Sequence, residues 1–248
     1  MSVTIVMPVW NEAEGIEEFL SEIASEFRDM PHQFVVVDDS SGDETVSIVE
    51  ALADSGLPVT LLVNSTNMGH GPSTLRALES GLESGADVVV SVDGDGQFIG
   101  KDIRRIADSV SAGDADIVEG VRTSRDDPYF RQAVSLGTRI LVWLRCGRLP
   151  ADANTPLRAY RSKALSSILG NIPNQASTPN LFVSAYVRKS GLAVMEMRVR
   201  SIPRRGAIAT GSTWGKSRTY LPSKRFITFC VNAVREWTST TQPSNSTK

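Results

Sequence analysis

The chain has 248 residues, 41% hydrophobic and 22% charged, enough to bury one sizeable core and ordinary for a folded α/β domain. Cys146 and Cys230 form no disulfide framework and point to a reducing compartment, and no stretch approaches ~18 uninterrupted apolar residues, so neither a secretory leader nor a bilayer-spanning helix is expected. The net charge of −2 hides an asymmetry: residues 1–156 hold 26 acidic and 11 basic side chains, whereas residues 157–248 hold 15 basic ones against Glu196 and Glu236 alone. Such a skew suggests a basic face for a polyanion or anionic lipid.

In chain order, the first half alternates short apolar runs with helical patterns, the signature of a parallel sheet covered on both faces. Strands are expected at Thr4–Val9, Phe34–Asp39, Thr60–Asn64, Asp87–Asp93 and Asp116–Arg122, with helices near 12–28, 43–55, 71–84 and 100–112. Val35–Val37 and Val88–Val90 are continuous β-branched runs, as befits central strands. The second half predicts an amphipathic helix with a basic face over Phe130–Arg148, a strand around Leu157–Tyr160 and a helix near Asn180–Ser190. A strand at Leu192–Val199, a basic loop from Pro203 to Gly215 and a second amphipathic stretch over Leu221–Trp237 follow. The Ser/Thr-rich tail after Thr238 is expected to be disordered.

In parallel sheets, ligands bind beyond the carboxyl ends of the strands, and the polar residues cluster there. Strand one runs into Pro8, Asn11 and Glu12; strand two ends in Asp38 and Asp39, then Ser41 and Asp43; strand four ends in Asp93-Gly94-Asp95-Gly96-Gln97. Two carboxylates two residues apart can share one hard cation, although Asp and Gly are also common turn formers. Asp43 reads as a cap for the next helix. Two adjacent carboxylates closing an apolar strand suit a ribose hydroxyl or a base N–H.

The succession MPVWNE, VVDDSSGDET, NMGHG and DGDGQ, over residues 1–122, resembles family 2 glycosyltransferases of the GT-A fold. That resemblance implies a GT-A (Rossmann-like), mostly parallel sheet with helices on both faces, plus a C-terminal amphipathic helical segment. The domain would cover 1–215, and 216–248 would hold the amphipathic segment and tail. By the same resemblance, Pro8, Asn11, Glu12, Asp39, Asn67, Gly69, Asp93 and Gln97 line the donor pocket. Asp93, Asp95 and Gln97 hold Mg²⁺ or Mn²⁺, and Gly71 lets backbone approach the donor. His70 is assigned no role.

The second half is similar to dolichyl- and polyprenyl-phosphate mannosyl- or glucosyltransferases. Arg131 with Ser135 matches that group's Arg-x-x-x-Ser on an interfacial helix, and Asp152-Ala-Asn-Thr-Pro-Leu-Arg158 resembles its Asp-x-x-(Thr/Ser)-(Gly/Pro)-Phe-Arg segment. Arg122 sits where the group keeps a phosphate-reaching arginine. Arg205 with Gly215, Lys216 and Ser217 is a variant of its late Arg-x-x-Gly-x-Ser-Lys loop, and Gly94, Gly96 and Phe98 replace the usual Ala, Leu and His, which is expected to loosen the loop. The implied reaction moves a hexosyl residue from a nucleotide sugar (GDP-mannose or UDP-glucose type) to polyprenyl or dolichyl phosphate by inversion. Asp95, Arg131 and Asp152 are the catalytic candidates, and Arg122, Arg131 and Ser135 grip the acceptor phosphate. The expected setting is cytoplasmic and peripheral, on an anionic membrane surface, with or without a small membrane subunit and without nucleic acid. The alternatives are a family 2 enzyme acting on a soluble or polysaccharide hydroxyl, with Asp152 as base, and a non-catalytic nucleotide-sugar-binding module.

Overall fold

A computed structural model of the protein describes residues 1–123, 129–206 and 224–239, with the side chains of 129–133, 224–230 and 232 outside the description. The first half runs β1 (Val3–Val9), α1 (Ile16–Glu26), β2 (His32–Asp38), α2 (Thr45–Asp54), β3 (Val59–Val63), α3 (His70–Glu83), β4 (Val88–Ser91), α4 (Gly100–Ala112) and β5 (Ile117–Thr123). Every strand and helix expected there is present. The second half adds α5 (Tyr129–Cys146), β6 (Arg158–Arg161), α6 (Ser162–Leu169), α7 (Pro179–Val187), β7 (Val194–Arg200) and α8 (Lys224–Ser239). Helix α6 was not anticipated: its eight residues carry only Ala164, Leu165 and Ile168 as buried anchors, too short a run for periodicity to separate from loop.

The strands form one sheet in the order β3-β2-β1-β4-β6-β5-β7. All seven residues of β1 are buried, because β2 and β4 flank it in parallel and helices cover both faces. Alternation assigns the faces: Val3, Ile5, Met7 and Val9 join α1 and α4 in one cluster, while Val6, Val35, Val37 and Val89 join α3, α6 and α7 in the other. β6 lies between β4 and β5, antiparallel to both. It thereby carries the loop before it to the same edge as the carboxyl ends of its neighbours.

The second half is held by a buried ionic network. Arg158, fully buried on β6, donates to Ser184 Oγ at 2.7 Å and Asn180 O at 3.1 Å, and lies 3.3 Å from Glu119 Oε1. Glu119 Oε2 accepts from Arg188 at 2.6 Å, and Arg188 reaches Glu196 at 2.7 Å. At the far end, Trp237 of α8 is buried against Phe182, ring centroids 5.0 Å apart, with the Arg145 guanidinium 4.6 Å from the indole centroid. Glu236 accepts the Ser177 N–H at 3.0 Å. The end of α8 therefore packs into the layer formed by α5 and α7; the expected boundary at 215/216 lies outside the described residues.

Candidate active site at the strand ends

The carboxyl end of β1 is laced to the loop after β2. Asn11 takes a left-handed φ of 54°, which asparagine tolerates, and Ser40 takes 63°. The Asn11 N–H donates to Ser41 Oγ at 2.9 Å, and Asn11 Oδ1 accepts from the Gly42 N–H at 2.9 Å. Asp43, one residue before the Glu44 N-cap of α2 and so not itself the cap expected, accepts the Thr45 N–H at 3.0 Å, and its other oxygen accepts the Ala13 N–H at 3.2 Å. Asn11 is thus spent on shaping the loop that presents Glu12.

Asp39, expected in the donor pocket, is held by three internal donors. Its Oδ1 accepts from Asn64 Nδ2 and the Met68 N–H, both at 2.8 Å, and its Oδ2 accepts from the Gly69 N–H at 2.8 Å. Asn67 adds a bond to the Asp39 carbonyl at 3.1 Å. A carboxylate that is only 4% exposed must find such donors, so Asp39, Asn67 and Gly69 form one structural unit that fixes the entry to α3. Gly71 does permit a close approach, but of the chain's own backbone: a Cβ there would stand 2.2 Å from the Ala176 carbonyl oxygen.

The Asp93–Gln97 loop closes β4. Its glycines tighten it where the sequence suggested loosening. A Cβ on Gly94 would lie 2.4 Å from Val9 Cγ1, and Gly96, at φ 66°, leaves the space that the Arg205 side chain fills, 2.6 Å from where its own Cβ would be. Pro8 accepts the Gly94 N–H at 3.2 Å, and Asp95 Oδ1 accepts the Gln97 N–H at 3.1 Å. Gln97 therefore touches Asp95 through its main chain. His70, assigned nothing from sequence, brings Nε2 to 3.6 Å from Asp93 Oδ1.

Above these strand ends runs the segment after β7. Arg204 pairs with Glu12, and Arg205 pairs with Glu18 at 2.7 Å and with Glu22. Between Glu12 and this segment lies a cleft of about 310 Å³ bordered by Asn11, Asp43, Arg204 and Gly206. Burial pushes Glu12 up to about 7 despite Arg204, with Asp95 and Asp93 adding to the rise. Desolvation and the Asp93 charge push Asp95 up to about 6. Arg204 was missed from sequence; its doublet with Arg205 beside a glycine was the available signal.

On the other side, Arg122 meets Asp152 in a bidentate pair, Nε to Oδ2 at 2.7 Å and Nη2 to Oδ1 at 2.9 Å. The arginine expected to grip an acceptor phosphate is thus committed to the candidate base, because a nearly buried carboxylate recruits the nearest fork of donors. Ser135 stands half-buried on α5, its carbonyl accepting from Thr138 Oγ1 at 2.8 Å. The Arg131 side chain, and Gly215, Lys216 and Ser217, lie outside the described residues.

The chain as a whole has counterparts among known proteins. Residues 4–179 match the family model described as Glycosyl transferase family 2. The chain belongs to this family. Among curated members, an undecaprenyl-phosphate 4-deoxy-4-formamido-L-arabinose transferase of Pseudomonas fluorescens is 29% identical over 197 residues, 78% of this chain and 57% of that protein. The same-named transferase of Sodalis glossinidius is 30% identical over 76% of this chain and 57% of its own length. The chain thus spans less than three-fifths of these relatives. Among solved structures, glucosyl-3-phosphoglycerate synthase from Mycobacterium tuberculosis, in complex with phosphoglyceric acid, superposes with a TM-score of 0.64 at 14% identity, over 96% of this chain and 79% of that one. The same synthase with Mn²⁺ and UDP-glucose gives 0.59 at 17% identity, over 84% of this chain and 72% of that one. S. aureus TarS with UDP-GlcNAc also gives 0.59, at 20% identity over 95% of this chain and 66% of that one. The fold is GT-A.

The residues of this family 2 chain fit a divalent cation by their chemistry. Asp95 is raised partly by Asp93, so the pair carries an electrostatic demand that a hard cation meets. Among the described residues no cluster of three or more acidic, His or Cys side chains could enclose an ion by itself. Mg²⁺ and Mn²⁺ suit such a site, since one or two carboxylates suffice when substrate phosphates and water complete the shell.

Proposed function

We propose that the protein transfers a hexosyl residue, with inversion, from a nucleotide sugar of the GDP-mannose or UDP-glucose type to a polyprenyl or dolichyl phosphate. The observation that carries the donor half is the Asp93–Asp95 pair in the short loop after β4, two hard oxygen-ligand side chains beside the cleft that Glu12 and Arg204 border. The acceptor half draws on the names of the curated relatives, which are undecaprenyl-phosphate transferases. Asp93 and Asp95 would hold Mg²⁺ or Mn²⁺, and bound there it neutralises charge building on a departing diphosphate. Glu12 would line the nucleotide pocket, and Arg204 supplies positive charge to both Glu12 and Asp95. Arg131 and Ser135 take the acceptor phosphate. A panel of labelled sugar nucleotides with polyprenyl phosphate and Mn²⁺, read by organic extraction, tests this directly. Label that stays aqueous for every donor overturns it.

The Arg122–Asp152 pair bears on the choice of acceptor. A hydroxyl acceptor must lose a proton to a base, but both Asp152 oxygens are taken by the Arg122 fork. A phosphate acceptor brings its own anionic oxygen, with a second pKa of about 6. At saturating donor and metal, kcat should fall as pH drops through about 6. Asp152→Asn should lower the rate without moving that inflection, and a lipid phosphonate of higher second pKa should shift it upward. An inflection that ignores the acceptor but moves in the Asp152 variant would favour the hydroxyl-acceptor reading.

The protein would work peripherally at the cytoplasmic membrane face. No helix among the described residues is long and apolar enough to cross a membrane. Helix α5 is two-sided: Val142 is fully buried, while Leu136, Ile140, Trp143 and Leu144 form an exposed stripe, and α8 exposes Val231 and Val234. Helix α5 contains no acidic residue, so none of its own side chains repels an anionic headgroup layer while the stripe enters the lipid boundary. Trp143→Glu with Leu144→Glu should abolish most co-sedimentation with anionic vesicles, and high salt should weaken the wild type's binding. Retention of both variant and high-salt protein on the vesicles would remove α5 as the attachment face.

A further inference from the structure

Two adjacent arginines follow β7, and the structure gives them opposite occupations. Arg204 faces the cleft on Glu12. Arg205 turns away onto α1, where Nη1 donates to Glu18 at 2.7 Å, Nη2 pairs with Glu22, and Nε donates to the Gly96 carbonyl at 3.2 Å. Its guanidinium stands 5.4 Å from the Phe19 ring centroid, and the side chain is 12% exposed. Although Arg205 also borders the cleft, its guanidinium is held by the carboxylates of α1.

The main chain around Arg205 is docked to the carboxylate loop. Ser201 bridges Phe98, the Ile202 N–H donates to the Gln97 carbonyl at 3.0 Å, and the Arg205 N–H donates to the Asp95 carbonyl at 3.2 Å. Glu22, besides meeting Arg205, accepts the Gly100 N–H at 2.6 Å at the start of α4. The loop is therefore tied at Asp95, Gly96 and Gln97, and all three ties pass through one short segment. Two glycines accommodate it: a Cβ on Gly96 would lie 2.6 Å from Arg205 Cδ, and one on Gly15 would lie 2.8 Å from Arg205 Cβ.

We propose that Arg205 is a positioning residue that clamps the Asp93–Gln97 loop onto α1 and so sets the geometry in which Asp95 meets a divalent cation. The inference rests on the reading of Asp93 and Asp95 as the metal carboxylates. Groups that orient a metal ligand from outside typically change affinity by about 10- to 100-fold when removed. Lysine keeps the charge but not the three-way fork, so it should rescue only in part.

The test measures Mn²⁺ binding by the loss of the free-ion EPR signal, with UDP or GDP present, on the full chain. Wild type is compared with Arg205→Ala, Arg205→Lys and Glu22→Gln, each with thermal unfolding recorded. Arg205→Ala should weaken Mn²⁺ binding by about 10-fold or more, with Arg205→Lys and Glu22→Gln falling in between. A purely structural Arg205 would lower the melting temperature and leave the affinity of the folded protein unchanged, and that result overturns the proposal. If the alanine variant does not fold, the lysine and glutamine variants decide: unchanged Mn²⁺ affinity in both sinks the clamp. Wild type that binds no Mn²⁺ with either nucleotide would instead refute the metal reading beneath it.

Discussion

Asp95→Asn should lose about 100- to 1,000-fold in turnover while gaining stability in chelator above pH 6. The first effect follows from removing one of two charges aimed at a cation and a departing diphosphate. The second follows from the raised pKa of Asp95, about 6 in the folded protein, against an ordinary value of about 4. The native state binds the extra proton between these values, so stability is fully present below about pH 4 and declines as pH rises toward 6. Asparagine carries no charge there and escapes the decline. Melting curves in chelator from pH 4 to 8 should show the variant overtaking wild type across that window. Adding Mn²⁺ with nucleotide diphosphate should stabilise wild type far more than the variant, since a ligand at 100 times its Kd contributes about 2.7 kcal/mol. Equal turnover of variant and wild type, or an unchanged difference in melting temperature across pH, would remove Asp95 from the site.

The largest stability effect is expected at Arg158, the fully buried centre of the second half's ionic network. Removing one partner of a buried ion pair costs about 3–5 kcal/mol, because the other charge is left in a low-dielectric interior. Arg158→Ala leaves Glu119 with Arg188 still at 2.6 Å, which places the loss near the lower end of that range. For a chain of this size that is a fall of about 10 °C in melting temperature. Arg158→Met with Glu119→Gln should recover much of it, since methionine needs no partner and an uncharged glutamine can still bond Ser184 and Arg188. Calorimetry showing less than about 2 °C change in Arg158→Ala would mean that the network contributes little. Activity per folded molecule should be nearly unchanged, although Arg158 closes a motif that the sequence tied to the acceptor side.

Much of this molecule is legible in its sequence. Val35–Val37 and Val88–Val90 are hydrophobic on both faces, and only a strand covered by helices on both sides accepts that pattern. Strand ends are legible for a related reason: an apolar run stopping in Asp38-Asp39 or Asp93-Gly94-Asp95 marks the edge where the strand gives way to a polar loop. What periodicity does not encode is partner choice. The sheet is mixed because β6 runs antiparallel between β4 and β5, a pairing made by residues 39 to 73 positions apart. Asp39 and Arg122 carry the residue types of a binding site, yet the fold brings Met68, Gly69 and Asp152 close enough to satisfy them internally. Conversely, Arg204 reaches Glu12 across 192 positions, and no local signal distinguishes it from Arg205 beside it. The sequence alone determined which groups carry charge and at which strand ends they emerge. The tertiary structure decided which of those charges are spent on one another and which remain to face a substrate, because that depends on distances between segments far apart in the chain.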